Sequence, residues 1–194
     1  MAEPESKGTD ISLRAAEVAS DVSETDKPRE RQRLVTTFTR AVTSGARAAG
    51  RGTRAVRRRA GDGVGWLADQ VVAMAPRLRV RDRAALTAQF PGKSPDEVAD
   101  ALIEGAARAA AATGGAAGLA SALPVLPAFP AEIAAETLVL VGIELKLVAE
   151  LHEAYGTPVP GKLPERMSAY LAAWAHRRGV SMIPGGLVLA AGSK

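Results

Sequence analysis

Apolar positions recur with helical spacing along most of the chain. From Arg29 to Ala60, Val35, Phe38, Val42, Gly45, Ala49, Gly52 and Val56 alternate in steps of three and four, which is a heptad seam. Gly45, Gly50 and Gly52 each cost about 1 kcal/mol against Ala in a helix interior, so the second half of this helix needs a packed seam. The GDGVG stretch, Gly61–Gly65, is expected to end it. Val64–Ala75 carries Trp66, Leu67, Val71 and Met74 as the stripe of a second helix, stopped at Pro76. Arg77, Arg79, Arg81 and Arg83 then alternate with Leu78, Val80 and Asp82, which suits an extended connector. Asp82 is placed to cap a short helix, Arg83–Phe90.

The clearest helix start is Ser94-Pro95-Asp96-Glu97. Ser94 caps, Pro95 takes the first helical position, and Glu97 completes a capping box while its charge complements the helix dipole. This helix becomes almost pure Ala and Gly. Gly105, Gly114, Gly115 and Gly118 mark a face that a neighbouring helix can approach closely. Pro124, Pro127 and Pro130 force a bend. Ala131–Tyr155 follows as a helix apolar on most sides, hence central, with Gly156 at its end. Pro164–Arg178 is a last helix, striped by Met167, Tyr170, Leu171 and Trp174. Leu187–Ala191 in the tail is read as a docking segment or short helix. No strand-period alternation is long enough for a sheet. The expected class is all-α: a helical bundle around a close-packed Ala/Gly-rich hairpin over 95–156, within a helical domain 61–194 preceded by the Arg-rich helix 29–60.

Charge changes this picture at the N-terminal end. Residues 1–28 carry seven acids, three bases and few large apolar side chains, so they are expected to form a disordered acidic tail, with at most a helical turn around Ile11–Val18. Residues 29–60 carry ten arginines and one acid. Arg33, Arg40, Arg47 and Arg54 lie seven apart opposite the seam, with Arg51 and Arg58 beside them. These six form the candidate binding face. It suits anionic lipid headgroups, or a membrane protein, and also the phosphates of nucleic acid. It equally suits a solvated surface paired with the acidic tail. Phe38, the one aromatic residue of this helix, sits on the seam, which argues against base stacking. Self-association through the 35–56 seam is a further option.

Little else points to chemistry. With no cysteine, disulfides, thiolate metal sites and cysteine nucleophiles are excluded. Glu132 and Glu136 lie a turn apart, but Glu150-x-His152 puts an acid and a histidine on different faces, where a di-metal helical site wants Glu-x-x-His. These acids are therefore expected to be exposed, or paired with Lys146 and with arginines elsewhere. His152 and His176 fall on different helices. There is no nucleophile elbow, phosphate loop or dinucleotide fingerprint. The expectation is a non-enzymatic interaction protein without cofactor or metal.

Ala109–Ala131 lacks charge but is broken by prolines, and Glu132, Glu136 and Glu144 follow. A soluble core hairpin or peripheral membrane contact fits this better than a span. The N-terminus lacks the pattern of a secretory signal, and the expected location is cytoplasmic, peripheral at the inner face of the cell membrane. The stretch TGGAAGLASALP, the Pro-rich bend, and a long apolar helix ending in AELHEAYG resemble the helical core of the EcsC family over about Ala106–Gly156. Those are bacterial proteins linked with membranes. The resemblance implies a helical, membrane-peripheral, non-enzymatic protein and brings no catalytic residues.

Overall fold

A computed structural model describes residues 5–49, 59–121, 129–177, 180–183 and 186–189, with side-chain surroundings for 11–42, 66–114 and 134–177. The helices are α1 (Glu5–Glu24), α2 (Pro28–Ala49), α3 (Arg59–Met74), α4 (Arg83–Gln89), α5 (Pro95–Ser121), α6 (Phe129–Ala154) and α7 (Leu163–Arg177), with a 3-10 turn at Ala75–Arg77. The fold is all-α, as the periodicity requires. Its one addition is a small antiparallel hairpin, β1 (Val180–Ile183) and β2 (Gly186–Leu189), paired from Val180–Leu189 to Ile183–Gly186. Of the two expectations for the tail, docking or a short helix, Leu187–Leu189 meets the first: it lies in β2, which packs on α3.

α6 is the centre. Leu138, Val139, Leu145 and Ala149 are fully buried, and α1, α2, α3, α4, α5 and α7 all pack on it. α5 and α6 lie against each other as the expected central hairpin. Its bend, with Pro124 and Pro127, falls outside the described residues, while Pro130 sits in the first turn of α6, where its missing N–H costs nothing. The capping box is formed: Ser94 N–H donates to Glu97 Oε2 at 2.8 Å, and Glu97 N–H to Ser94 Oγ at 3.3 Å. The Ser94 N–H bond first, and then the Ser94 hydroxyl, which donates to the same oxygen at 2.9 Å, hold the Glu97 carboxyl below its usual range. Asp82 caps α4 by accepting from Ala85 N–H at 2.8 Å. α6 stops in a Schellman turn. Gly156 takes a φ of 68°, Thr157 N–H donates to His152 C=O at 2.8 Å, and Gly156 N–H to Glu153 C=O at 3.1 Å.

Three expectations need correction. The expected disordered tail does not extend over Ile11–Glu24. From Ile11 to Glu24 the chain is a packed helix, with Ser12, Ala15, Ala19, Ser20 and Val22 fully buried. Its buried face is built from small residues, so an argument from large apolar side chains overlooks it. GDGVG does not end a helix but lies within α3, and any break between α2 and α3 falls in 50–58, outside the described residues. The third correction concerns close approach. At Gly105 an added Cβ would lie 3.7 Å from Ser23 O, an ordinary contact, and at Gly114 it would meet nothing within 4 Å. Gly115 and Gly118 lie in α5, outside the described side-chain surroundings. The tight crossing is at Gly142 of α6, where an added Cβ would lie 2.6 Å from Ala19 Cβ of α1. Since Gly114 is exposed in a helix with open space beside it, Gly114→Ala should stabilise the protein by about 0.4–1 kcal/mol, read as a raised urea midpoint at constant slope.

Candidate functional site

Two charged features stand out, one outward and one inward. The outward one is the arginine face of α2. Val35, Phe38 and Val42 of the seam are buried in the chain's own core, so this half of the seam is occupied and offers no surface to a second copy. Arg33 and Arg40 are exposed on the other side. Arg47 continues the seven-residue spacing within α2, with its side chain outside the described surroundings, and Arg51, Arg54 and Arg58 lie outside the described residues altogether. A further arginine of this helix behaves differently. Arg31 is 3% exposed, and its Nε donates to Val22 C=O at 3.2 Å, capping a carbonyl at the end of α1. By spacing it extends the seam one step toward the N-terminus, so its position and not its charge decides its burial.

The inward feature lies between α6 and the connector that follows the 3-10 turn. An extended chain advances about 6.6–6.8 Å per two residues and an α-helix 5.4 Å per turn, so alternate connector residues keep rough step with successive helical turns. Lys146 Nζ donates to Arg79 C=O at 2.7 Å. Arg81 meets Glu150 three times: backbone N–H and Nε donate to Oε1 at 3.1 and 2.8 Å, and Nη2 to Oε2 at 2.6 Å. Arg83 N–H donates to Glu153 Oε2 at 3.2 Å, and Arg166 of α7 pairs with the other oxygen of Glu153. The expected partnership of these acids with Lys146 and with arginines elsewhere is therefore what holds the connector down. Lys146 and Glu150 are 1% and 2% exposed and pair with each other. Burial pushes the Glu150 carboxyl up, but the Arg81 hydrogen bond and the charges of Lys146 and Arg81 outweigh it and leave it below its usual range. Burial likewise works against the Arg81 charge, and Glu150 more than offsets it, so the guanidinium pKa is raised.

Above this cluster opens a cavity of about 230 Å³. Lys146, Glu150 and Arg81 line its floor, Glu24 at the end of α1 lies beside them, and Phe90, Leu102 and Leu147 contribute apolar wall. Glu104 and Arg108 at the rim pair with each other at 2.6 Å.

Glu144 and His152 are engaged locally. Glu144 accepts from Trp174 Nε1 at 2.7 Å. His152 stacks on Tyr170 at 4.9 Å between ring centroids, with Nδ1 3.0 Å from Thr157 O. Glu132 lies outside the described side-chain surroundings. Among the described residues, no group of three or more His, Cys, Asp or Glu is placed to hold a metal ion, and no helix is long and apolar enough to cross a membrane. The chain matches no family model, no curated protein and no solved structure in comparisons with each.

Proposed function

We propose that this chain is a helical interaction protein that docks on an anionic membrane surface through the arginine face of α2. The observation that carries this reading is the division of α2: Val35, Phe38 and Val42 fix the helix in the core, while Arg33 and Arg40 stand in solvent. The sequence continues that face through Arg47, Arg51, Arg54 and Arg58. A basic residue near an anionic bilayer contributes about 1 kcal/mol, so several acting together suffice for reversible attachment. Because Val35, Phe38 and Val42 of the apolar seam are used internally, the attachment through Arg33 and Arg40 is electrostatic and should fall steeply with salt. Burial of Phe38 leaves this face without an aromatic platform for bases, which favours lipid over single-stranded nucleic acid. The resemblance of residues 106–156 to the EcsC family likewise implies a membrane-peripheral, non-enzymatic protein.

Sedimentation with vesicles tests it. Vesicles containing phosphatidylserine should pull the protein down at low salt, and neutral phosphatidylcholine vesicles should not. Arg40→Gln, Arg47→Gln, Arg51→Gln and Arg54→Gln combined should weaken binding at least tenfold. Failure to bind acidic vesicles at low salt would overturn the proposal, and a salt-sensitive shift of duplex DNA in its place would reassign the same face to nucleic acid.

A further inference from the structure

The cavity over Lys146 has a floor that is complete in an unusual way. The Lys146 ammonium has three partners: it donates to Arg79 C=O at 2.7 Å and to the Glu150 carboxylate, and it forms an ion pair with Glu24 Oε1 at 2.9 Å. Two of those partners are fixed. The carbonyl belongs to the connector backbone, and Glu150 is 2% exposed and held by Arg81 as well. Glu24 is 38% exposed, and Lys146 is its one salt-bridge partner among the described residues. It is the exchangeable member. Lys146, Arg81 and Glu150 together carry one net positive charge, which the Glu24 carboxylate neutralises. At the rim, Glu104 pairs with Arg108, and Asp26 lies 3.8 Å from Arg31, so no uncompensated rim charge bars an anion.

We propose that this cavity is a binding site for a small monocarboxylate with a short alkyl chain, and that Glu24 is the chain's own carboxylate standing in its place. The guest carboxylate takes the place beside the Lys146 ammonium that Glu24 now occupies, and Glu24 swings into water. The alkyl chain lies against Phe90, Leu102 and Leu147. About 230 Å³ is below the roughly 300–1,000 Å³ of sites for drug-sized ligands, which limits the guest to a few heavy atoms. Because Glu24 is the last residue of α1, exchange unties the end of that helix from α6.

The test is calorimetric titration and thermal unfolding of the full chain with butyrate, against butylamine and against sodium chloride at matched ionic strength. Butyrate should bind Glu24→Ala at least tenfold more tightly than the parent, since the internal competitor is gone, and should restore part of any thermal stability that variant loses. Butylamine, of the same shape and opposite charge, should do neither. If Glu24→Ala does not fold, Glu24→Gln serves the same comparison. Ala101→Phe, which fills the cavity from the α5 side while leaving Lys146 and Glu24 in place, should abolish the butyrate response. Equal responses to butyrate, butylamine and salt would overturn the proposal. So would an affinity for butyrate unchanged by loss of Glu24, or a response that survives Ala101→Phe.

Discussion

Glu150→Ala should destabilise the protein by about 3–5 kcal/mol, the cost of removing one partner from a buried ion pair. The substitution leaves Lys146, 1% exposed, with Glu24 as its remaining carboxylate, and takes from Arg81 its main partner. It also frees the connector, since the Arg81 backbone N–H loses its acceptor. The size of this loss does not mean that the pair contributes that much net stability. Two charges out of water are expensive, and much of the penalty in the single variant is a buried ammonium left with only the half-exposed Glu24 carboxylate. The Lys146→Met, Glu150→Met double variant should therefore lose less than Glu150→Ala, with Arg81, 18% exposed, still bonded to Gln89 at 2.6 Å. Urea denaturation of the three proteins decides it; a double variant as damaged as the single one would show that the pair is worth its full apparent energy.

The same carboxylate sets a pH dependence. Glu150 is held below its usual range in the folded protein, so folding favours its ionised form. The resulting stability is fully present above the unfolded carboxyl value of about 4.3 and is lost as pH falls through the lower folded value. Acid unfolding of the parent should accordingly begin below about pH 4.3, and the Glu150→Ala variant should show a shallower loss of stability across that range. An identical slope in both would remove Glu150 from the account.

What the sequence discloses depends on how local each feature is. The capping box at Ser94–Glu97, the cap at Asp82 and the stop at Gly156 need only neighbouring residues, and all three stand where the sequence puts them. The central place of α6 follows from its all-round apolar pattern. The outward turn of Arg33 and Arg40 follows from the heptad that buries Val35, Phe38 and Val42. What stays hidden is pairing between distant segments. Of the alternating arginines, Arg79 and Arg81 are extended as read, while Arg77 closes the 3-10 turn and Arg83 opens α4, and nothing local matches Arg79, Arg81 and Arg83 to Lys146, Glu150 and Glu153. Arg31 is chemically one arginine among ten, and only the carbonyl of Val22 makes it a buried cap. α1 escapes for a related reason. Its face of Ser12, Ala15, Ala16, Ala19 and Ser20 is too small to signal a core helix until the opposing surface is known to be equally small.

That opposing surface is Gly142, and it yields the second large effect. Gly142→Ala should destabilise the protein by about 1–3 kcal/mol, even though alanine is favoured over glycine by about 1 kcal/mol in a helix interior. The new methyl would lie 2.6 Å from Ala19 Cβ. Leu78 Cδ2 and Met74 Cε, each 3.5 Å away, are ends of side chains that can turn aside. The Ala19 methyl cannot; it is fixed to the α1 backbone, so relief requires α1 to lift from α6. Lifting α1 strains Glu24 on Lys146 and Ser20 on the Arg79 N–H, so the cost spreads beyond the crossing point. Ala19→Gly removes the clashing methyl. In the Gly142→Ala background it should recover stability, although alone it weakens α1 by the ordinary glycine penalty of about 1 kcal/mol. That reversal of sign in a double-variant cycle is specific to two residues in direct contact. Simple addition of the two losses would mean that α1 does not pack at Gly142, and with it would fall the small-on-small crossing that admits an Ala- and Ser-faced helix to the core. Gly114→Ala supplies the contrast, because the same added methyl, with nothing within 4 Å, should act in the opposite direction.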